Sequence, residues 1–438
     1  MASSSVTRRS LMGTAAVPLL AACGQAGGGG AAAPGPDARP ANVQFYFSGN
    51  QATVQLYQDM KVAFERAHPK STLELVQGET EIEKLLTLVA AGTPTDVFWN
   101  RVRTSQVLIR REGTLADVLP LMKRDKLTQD DFWPSAVKAY AYKGGYFGLP
   151  TSSSSSALYF NKALFRQVGL TFPDELEKQG KWNWDTLVDT AKKLTRTDAT
   201  GKKLWGYARI NGIVQTVQFI WQNGGTPFSE DRRQALYASS ECIGGVQFMT
   251  DLILKHQVTP PVDDPAKADF FSNFSIGMEQ GGRYRLPDMM SALQGGSLDA
   301  GMATAPAGPK NNKTRGDDLA GSILKSTKVL DAAWNFTKFW ASEEGQLIVL
   351  KSNRSYTSRR SIARNQSILK QVLQPWENGE TYFNGLNRTD VFPVPPKFPE
   401  VTAIYDREEK LAHEGKKTVR GAMDTVVQEV TPLIKEPF

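Results

Sequence analysis

The stretch "VQFYFSGNQATVQLYQDMKVAFERAHPKSTLELV", Val43 to Val76, holds a complete strand–helix–strand unit. Its first five residues form an unbroken apolar run bounded by Ser48-Gly49-Asn50, the pattern of a buried strand. Gln51 to Ala67 reads as a helix with Val54, Tyr57 and Met60 partly aligned on one face, closed by His68-Pro69. "STLELV" is a second strand and leads into the turn Gln77-Gly78. Next, "TEIEKLLTLVAAGTP" (Thr80 to Pro94) places Ile82, Leu85, Leu86 and Val89 on one helical face, stopped by Gly92 and Pro94. Asp96 then precedes a third strand, Val97 to Asn100. Strands alternating with helices predict an α/β fold with parallel strands and right-handed crossovers. In such sheets ligands bind beyond the carboxyl ends of the strands. Those ends are the loops Ser48 to Asn50, Gly78 to Thr80 and Asn100 to Arg103.

A second run begins after "GLPTSSSSS". "ALYFN" (Ala157 to Asn161) reads as a strand, with Asn161 placed to cap a helix that starts at Lys162. "WNWDTLVDTAKKL" sets Leu187, Ala191 and Leu194 on one face. "NGIVQTVQFIWQNGG" is a further apolar helix ended by Gly224-Gly225, and "SSECIGGVQFMTDLILKH" another, weakened by its own glycines. Trp334, Phe336, Phe339 and Trp340 are expected in a core. Ser152 to Ser156 has two readings, a low-complexity linker or a hydroxyl-lined hinge.

Upstream of the unit, Arg8 and Arg9 precede an apolar stretch from Leu11 to Ala22. It is far shorter than the roughly 20 residues a spanning helix needs, and its layout is that of a signal peptide of twin-arginine type. Leu20-Ala21-Ala22-Cys23 looks like a bacterial lipobox, in which Cys23 is lipidated and becomes the new N-terminus. Gly24 to Ala41 is mostly Gly, Ala and Pro, a tether with a reach of roughly 20–25 Å. The expectation is residues 1–22 as signal, 23–41 as lipid-anchored tether, and a soluble body held at the outer face of the cytoplasmic membrane.

About 400 residues remain, more than one core usually serves, so two lobes are expected. The net charge of +7 falls to +5 once the two signal arginines are removed, and the excess is spread without a basic run. Nothing there supports nucleic-acid binding. With Cys23 lipidated, Cys242 has no partner for a disulfide. His68, His256 and His413 are too dispersed to suggest a metal site, and neither metal nor cofactor is expected.

"KLLTLVAAGTPTDVFW", "GLPTSSSSSALYFNKALFRQVGL", "WNWDTLVDTAKKLT", "QNGG", "RYRLPDM" and "DAAWNFTKFWASEEGQ" occur in one order over about 300 residues. Together they resemble the extracellular solute-binding proteins of ABC importers, in the branch that mostly carries sugars. The resemblance implies a two-lobed periplasmic-binding-protein-like fold, each lobe a sheet flanked by helices, joined by a hinge. It implies an N-terminal lobe from 42–150 and approximately 300–355, with 151–299 and 356–438 mainly in the C-terminal lobe and hinge-associated helices. It also implies a monomer that captures a sugar or sugar-like solute by hinge closure and delivers it to a membrane permease, without catalysis.

A sugar site needs planar side chains to stack on C–H faces and forked polar groups for hydroxyls. Where the family places its cleft loops, the candidates are Ser48, Glu79, Asn100, Arg101, Thr151 and Ser152, then Trp221, Asn223, Arg283, Tyr284, Asp317 and Tyr356. Trp99 and Trp221 have a core reading beside the site reading. Where relatives often show an acidic-glycine-polar-Trp stretch, this chain has "EQGGRYR". Where they often have Gly-Trp, it has "GDDLAGS", with Asp317 and Asp318 and no aromatic. Arg101 or Arg283 would fork onto an acidic or phosphorylated sugar, whereas Asp317 would bind sugar hydroxyls. Two alternatives stay open: a surface-anchored carbohydrate-active hydrolase, which needs two convergent carboxylates, and a binding protein that reports to a sensor. No Gly-x-Ser-x-Gly or zinc-protease spacing is present.

Overall fold

A computed structural model describes residues 40–78, 87, 95–209, 211–264, 275–287, 290 and 299–436. The expected signal, Cys23, the tether up to residue 39, Glu79 and nearly all of the helix expected over 80–94 lie outside the described residues. The strands of the first half are β1 (Ala41–Phe47), β2 (Ser71–Gln77), β3 (Val97–Arg101), β4 (Ala141–Tyr142), β5 (Gly145–Tyr146), β6 (Leu149–Ser152) and β7 (Ala157–Asn161). Those of the second half are β8 (Arg196–Thr197), β9 (Lys203–Arg209), β10 (Ile276–Gly281), β11 (Ala300–Thr304), β12 (Thr314–Arg315), β13 (Leu319–Ile323) and β14 (Thr389–Asp390).

The first sheet has the order β2-β1-β3-β13-β6. β1 runs parallel to β2 from Ala41 opposite Ser71 to Phe47 opposite Gln77, and parallel to β3 from Phe45 opposite Val97. Asn50 caps the helix Gln51–Ala67, its side chain accepting from the Thr53 N–H at 3.4 Å. That helix buries Leu56, Tyr57, Met60 and Phe64, so its inner face is centred nearer Tyr57 and Met60 than Val54. Each such side chain contributes about 1.5–3 kcal/mol when fully buried. Phe45 lies at the centre, its ring 4.8 Å from Tyr57, 5.2 Å from Phe336 and 5.1 Å from Trp340. Thus the four aromatics of the helix Leu330–Ala341 form core, as expected.

The second sheet has the order β11-β7-β10-β9-β8. β10 is parallel to β9 and antiparallel to β7, which is itself antiparallel to β11. Asn161 caps the helix Lys162–Gln167 as expected, accepting from the N–H groups of Ala163 and Leu164 at 3.0 and 3.3 Å. Leu187, Ala191 and Leu194 pack on this sheet with Leu158, Phe160, Tyr207 and Met278. The approach is close enough to require Gly206, since a Cβ there would lie 2.0 Å from the Ala191 carbonyl oxygen. A separate helical layer joins Ile213–Gln222 and Ser240–Leu254 to Phe398–His413 and Val419–Leu433. Cys242 is a free thiol buried in that layer, and burial pushes its pKa up to about 11.

Residues near 300 do not rejoin the first lobe as expected. β11 is an edge strand of the second sheet, and the chain returns to the first only at β13, antiparallel to β3.

The chain passes between the two sheets twice, from β6 to β7 and from β11 to β13, and once more at Tyr356 toward the helices that follow; the serine run is common to all three. Ser153 and Tyr356 exchange backbone hydrogen bonds of 3.1 and 3.0 Å. The Asp317 N–H donates to Ser154 at 2.8 Å, and the Ser156 N–H donates to Arg315 at 3.0 Å. Ser152 to Ser156 are all buried. A solvated linker would show neither burial nor this pairing, so the run is a packed part of the crossing between the lobes. Gln346 fastens the crossing: its amide donates to the Thr151 carbonyl at 2.6 Å and accepts from Thr357 and Ser358 at 2.9 and 2.8 Å.

Candidate functional site

Beside these crossings, three segments bring charged side chains together. β3 ends at Arg101, whose guanidinium lies over the Trp99 ring at 4.6 Å. Arg103 follows in the first turn of the helix Val102–Arg110, whose first N–H donates to the Asp318 carbonyl at 3.1 Å. On the returning segment, Arg315 and Asp317 stand two apart on extended backbone, with their charged groups 4.0 Å apart. After β10 the chain turns at Arg283–Arg285 and presents Tyr284. Tyr284 and Arg315 line a small pocket with Ser156, Gln215, Gln280 and Gly281. Glu279 and Arg285 pair at 3.4 Å beside it.

The electrostatics follow from this placement. Burial alone would raise the Asp317 carboxyl, but the guanidiniums of Arg103, Arg101 and Arg315 outweigh it and hold it below the usual carboxylate range. Arg103 is shifted down, chiefly by burial and further by Arg101 and Arg315, with Asp317 opposing. Burial pushes Asp318 up to about 6 against the hydroxyls of Ser153 and Ser135. Burial likewise pushes Glu279 up to about 7, with Arg285 opposing. The site is therefore rich in fixed cations, while two of its carboxyls are reluctant to ionise.

The sequence candidates divide in two. Arg101, Tyr284 and Asp317 come together in this cluster. Ser48 follows β1 and is largely buried. Thr151 and Ser152 are buried at the start of the hinge, with the Thr151 hydroxyl donating to the Leu319 carbonyl at 3.3 Å. Asn100 is fully buried and donates to Ser322 at 2.8 Å, which gives it a sheet-pinning role.

Four expectations need correction. All five N–H donors of Arg283 are taken: by Glu377 at 2.8 and 3.1 Å, Asn353 at 2.9 Å, and the carbonyls of Leu350 and Ser355 at 2.9 and 3.0 Å. With its side chain 0% exposed, Arg283 is a structural post with nothing left for a ligand. Trp221 packs among Val217, Ile220 and Tyr237 in the helical layer. Asn223 ends that helix and donates to the Glu241 carbonyl at 2.8 Å, joining two helices. Tyr356 is fully buried, stacked on Tyr382 at 4.7 Å, so its part in the hinge is structural.

Arg103, Arg315, Glu279, Gln280 and Arg285 were not singled out from sequence. The available signal was the two-residue spacing of Arg101 with Arg103 and of Arg315 with Asp317. Among the described residues no group of His, Cys, Asp and Glu is arranged to hold a metal, and no helix is long and apolar enough to cross a membrane.

Residues 48–347 match the family described as bacterial extracellular solute-binding protein. An arabinooligosaccharide-binding protein of Halalkalibacterium halodurans is 23% identical, covering 68% of this chain and 70% of that one. A maltooligosaccharide ABC transporter solute-binding lipoprotein of Streptococcus pneumoniae is 23% identical over 87% of this chain and 86% of its own length. Among solved structures, an ABC substrate-binding protein of Listeria monocytogenes in complex with cycloalternan superposes with a TM-score of 0.76 at 22% identity. It covers 90% of this chain and 98% of that one.

Proposed function

This chain belongs to the bacterial extracellular solute-binding proteins, and we propose that it captures a carbohydrate between its two lobes and delivers it to an ABC permease. The observation that carries the reading is the position of the polar cluster. Arg101 and Arg103 extend from the first sheet, Tyr284 follows the second, and Arg315 and Asp317 stand on a crossing segment. A ligand touching all of them bridges both lobes and shifts the population toward a closed form. The hinge is the run Ser153 to Ser156, paired with Tyr356 on one crossing and Arg315 to Asp317 on another. Closure needs only small backbone rotations there, while the two cores move as bodies. The permease then recognises the closed face, and no bond of the carbohydrate is broken.

The family is extracellular, so the protein acts outside the cytoplasm. Lipidation of Cys23 would hold it at the membrane as a monomer on a tether. Arabinooligosaccharide and maltooligosaccharide binding by the relatives supports a saccharide as ligand. The test is a thermal-shift panel of maltotriose, arabinotriose, mannitol and monosaccharides, each sample also read for breakdown products. Ligand at 100 times its dissociation constant stabilises the native state by about 2.7 kcal/mol, enough for a visible shift. Stabilisation without turnover supports capture. Breakdown of any member of the panel moves the protein to the hydrolases.

A further inference from the structure

We propose that the carbohydrate carries an oxyanion, a carboxylate or phosphate, seated between Arg101 and Arg103 on one side and Arg315 on the other. This deepens the capture reading and rests on it. The guanidiniums of Arg103, Arg101 and Arg315 all act on the Asp317 carboxylate, and its neighbour Asp318 is buried and reluctant to ionise. Arg315 approaches Asp317 only to 4.0 Å, and Asp317 makes no closer ion pair among the described residues. The Nε of Arg101 is buried with no hydrogen-bond partner, and the guanidinium rests on Trp99. The neighbouring Arg285 lies 3.4 Å from Glu279, whose carboxyl is reluctant to ionise, so this pair supplies no spare negative charge to offset the excess.

Two physical consequences point the same way. First, guanidinium offers five donors and no acceptor. The hydroxyls of a neutral sugar find no acceptor on the guanidiniums and must turn to Asp317 or the side-chain amides, whereas a carboxylate or phosphate takes the fork in two parallel bonds. Second, closing the lobes removes water from the cluster. Desolvating cations without a counter-charge is costly, so a neutral ligand would have to close the cleft against that cost, and an anionic one is drawn in by it. Tyr284, half-buried on the opposite lobe, is left as the ring for a sugar face. The Trp99 ring is already covered by Arg101 on one side.

The experiment is calorimetric titration of the purified protein at low salt with glucuronate, galacturonate and glucose 6-phosphate, against glucose, galactose and maltotriose, with inorganic phosphate and citrate as sugar-free anions. The charged sugars are expected to bind at least ten-fold more tightly than their neutral counterparts and to weaken as salt rises. Arg101→Gln and Arg315→Gln are each expected to lose that advantage by ten-fold or more while melting like the parent. Neutral sugars binding as tightly as charged ones, with both variants unaffected, would overturn the oxyanion and leave carbohydrate capture standing. Phosphate or citrate binding with no sugar would keep the anion site and overturn the carbohydrate. Silence of the whole panel would overturn both.

Discussion

Removing Arg283 separates a structural post from a ligand contact. In Arg283→Met the side-chain volume is roughly kept, but Glu377 stays behind, its side chain 0% exposed, holding only the Tyr382 hydroxyl at 2.6 Å and the Gln374 N–H at 2.9 Å. Breaking one half of a buried pair typically costs about 3–5 kcal/mol, because the remaining charge is uncompensated. The carbonyls of Leu350 and Ser355 and the Asn353 amide lose their donor as well. For a lobe of this size each kcal/mol lowers the midpoint by about 2–4 °C, so a fall on the order of 10 °C is expected. The double variant Arg283→Met with Glu377→Gln removes the stranded charge and should recover part of the loss, a coupling read from the four-member cycle. Melting curves give the stabilities, and titration of the folded variant gives affinity. An Arg283→Met protein that melts like the parent but loses its ligand would return Arg283 to the site.

Other outcomes are expected. Tyr284→Ala should weaken carbohydrate binding several-fold with little change in melting, since the ring is only half-buried; unchanged affinity removes Tyr284 from the site. The carboxyls of Glu279 and Asp318 sit at about 7 and about 6 in the fold, above their unfolded values of 4.5 and 3.8. Between those limits the native state holds more protons than the unfolded one, so these groups favour folding as pH falls from 8 toward 5. Glu279→Gln should flatten that part of the stability–pH curve, and a curve as steep as the parent's contradicts the assignment. Cys23→Ala protein should appear in the soluble fraction and bind as before; persistence in membranes rules out the lipid anchor.

Much of the fold was legible because its signals are local. The apolar run of β1, the Asn161 cap and the faces of the helices over 51–67 and 184–194 depend on neighbours a few positions away. The return of β13 beside β3 was not legible, since a pairing of Leu319 with Arg101 leaves no trace in local periodicity. Hence the boundary near 300 fell on the wrong sheet. The C-terminal helix Val419–Leu433 buries Ala422, Met423, Val426 and Val430 at helical spacing, a local signal that went unread in the sequence. Arg101 and Arg283 look alike in sequence, and what distinguishes them is Glu377, far along the chain and invisible to spacing. The same holds for the serine run, whose composition suggests a linker until its partners at Tyr356 and Arg315 are known.

Capture by lobe closure is tested most directly by small-angle X-ray scattering of the protein with and without the carbohydrate that stabilises it most. Closure predicts a smaller radius of gyration on saturation, with the change abolished in Arg101→Gln at the same ligand concentration. A ligand that binds tightly while the scattering stays the same would contradict closure as the mechanism.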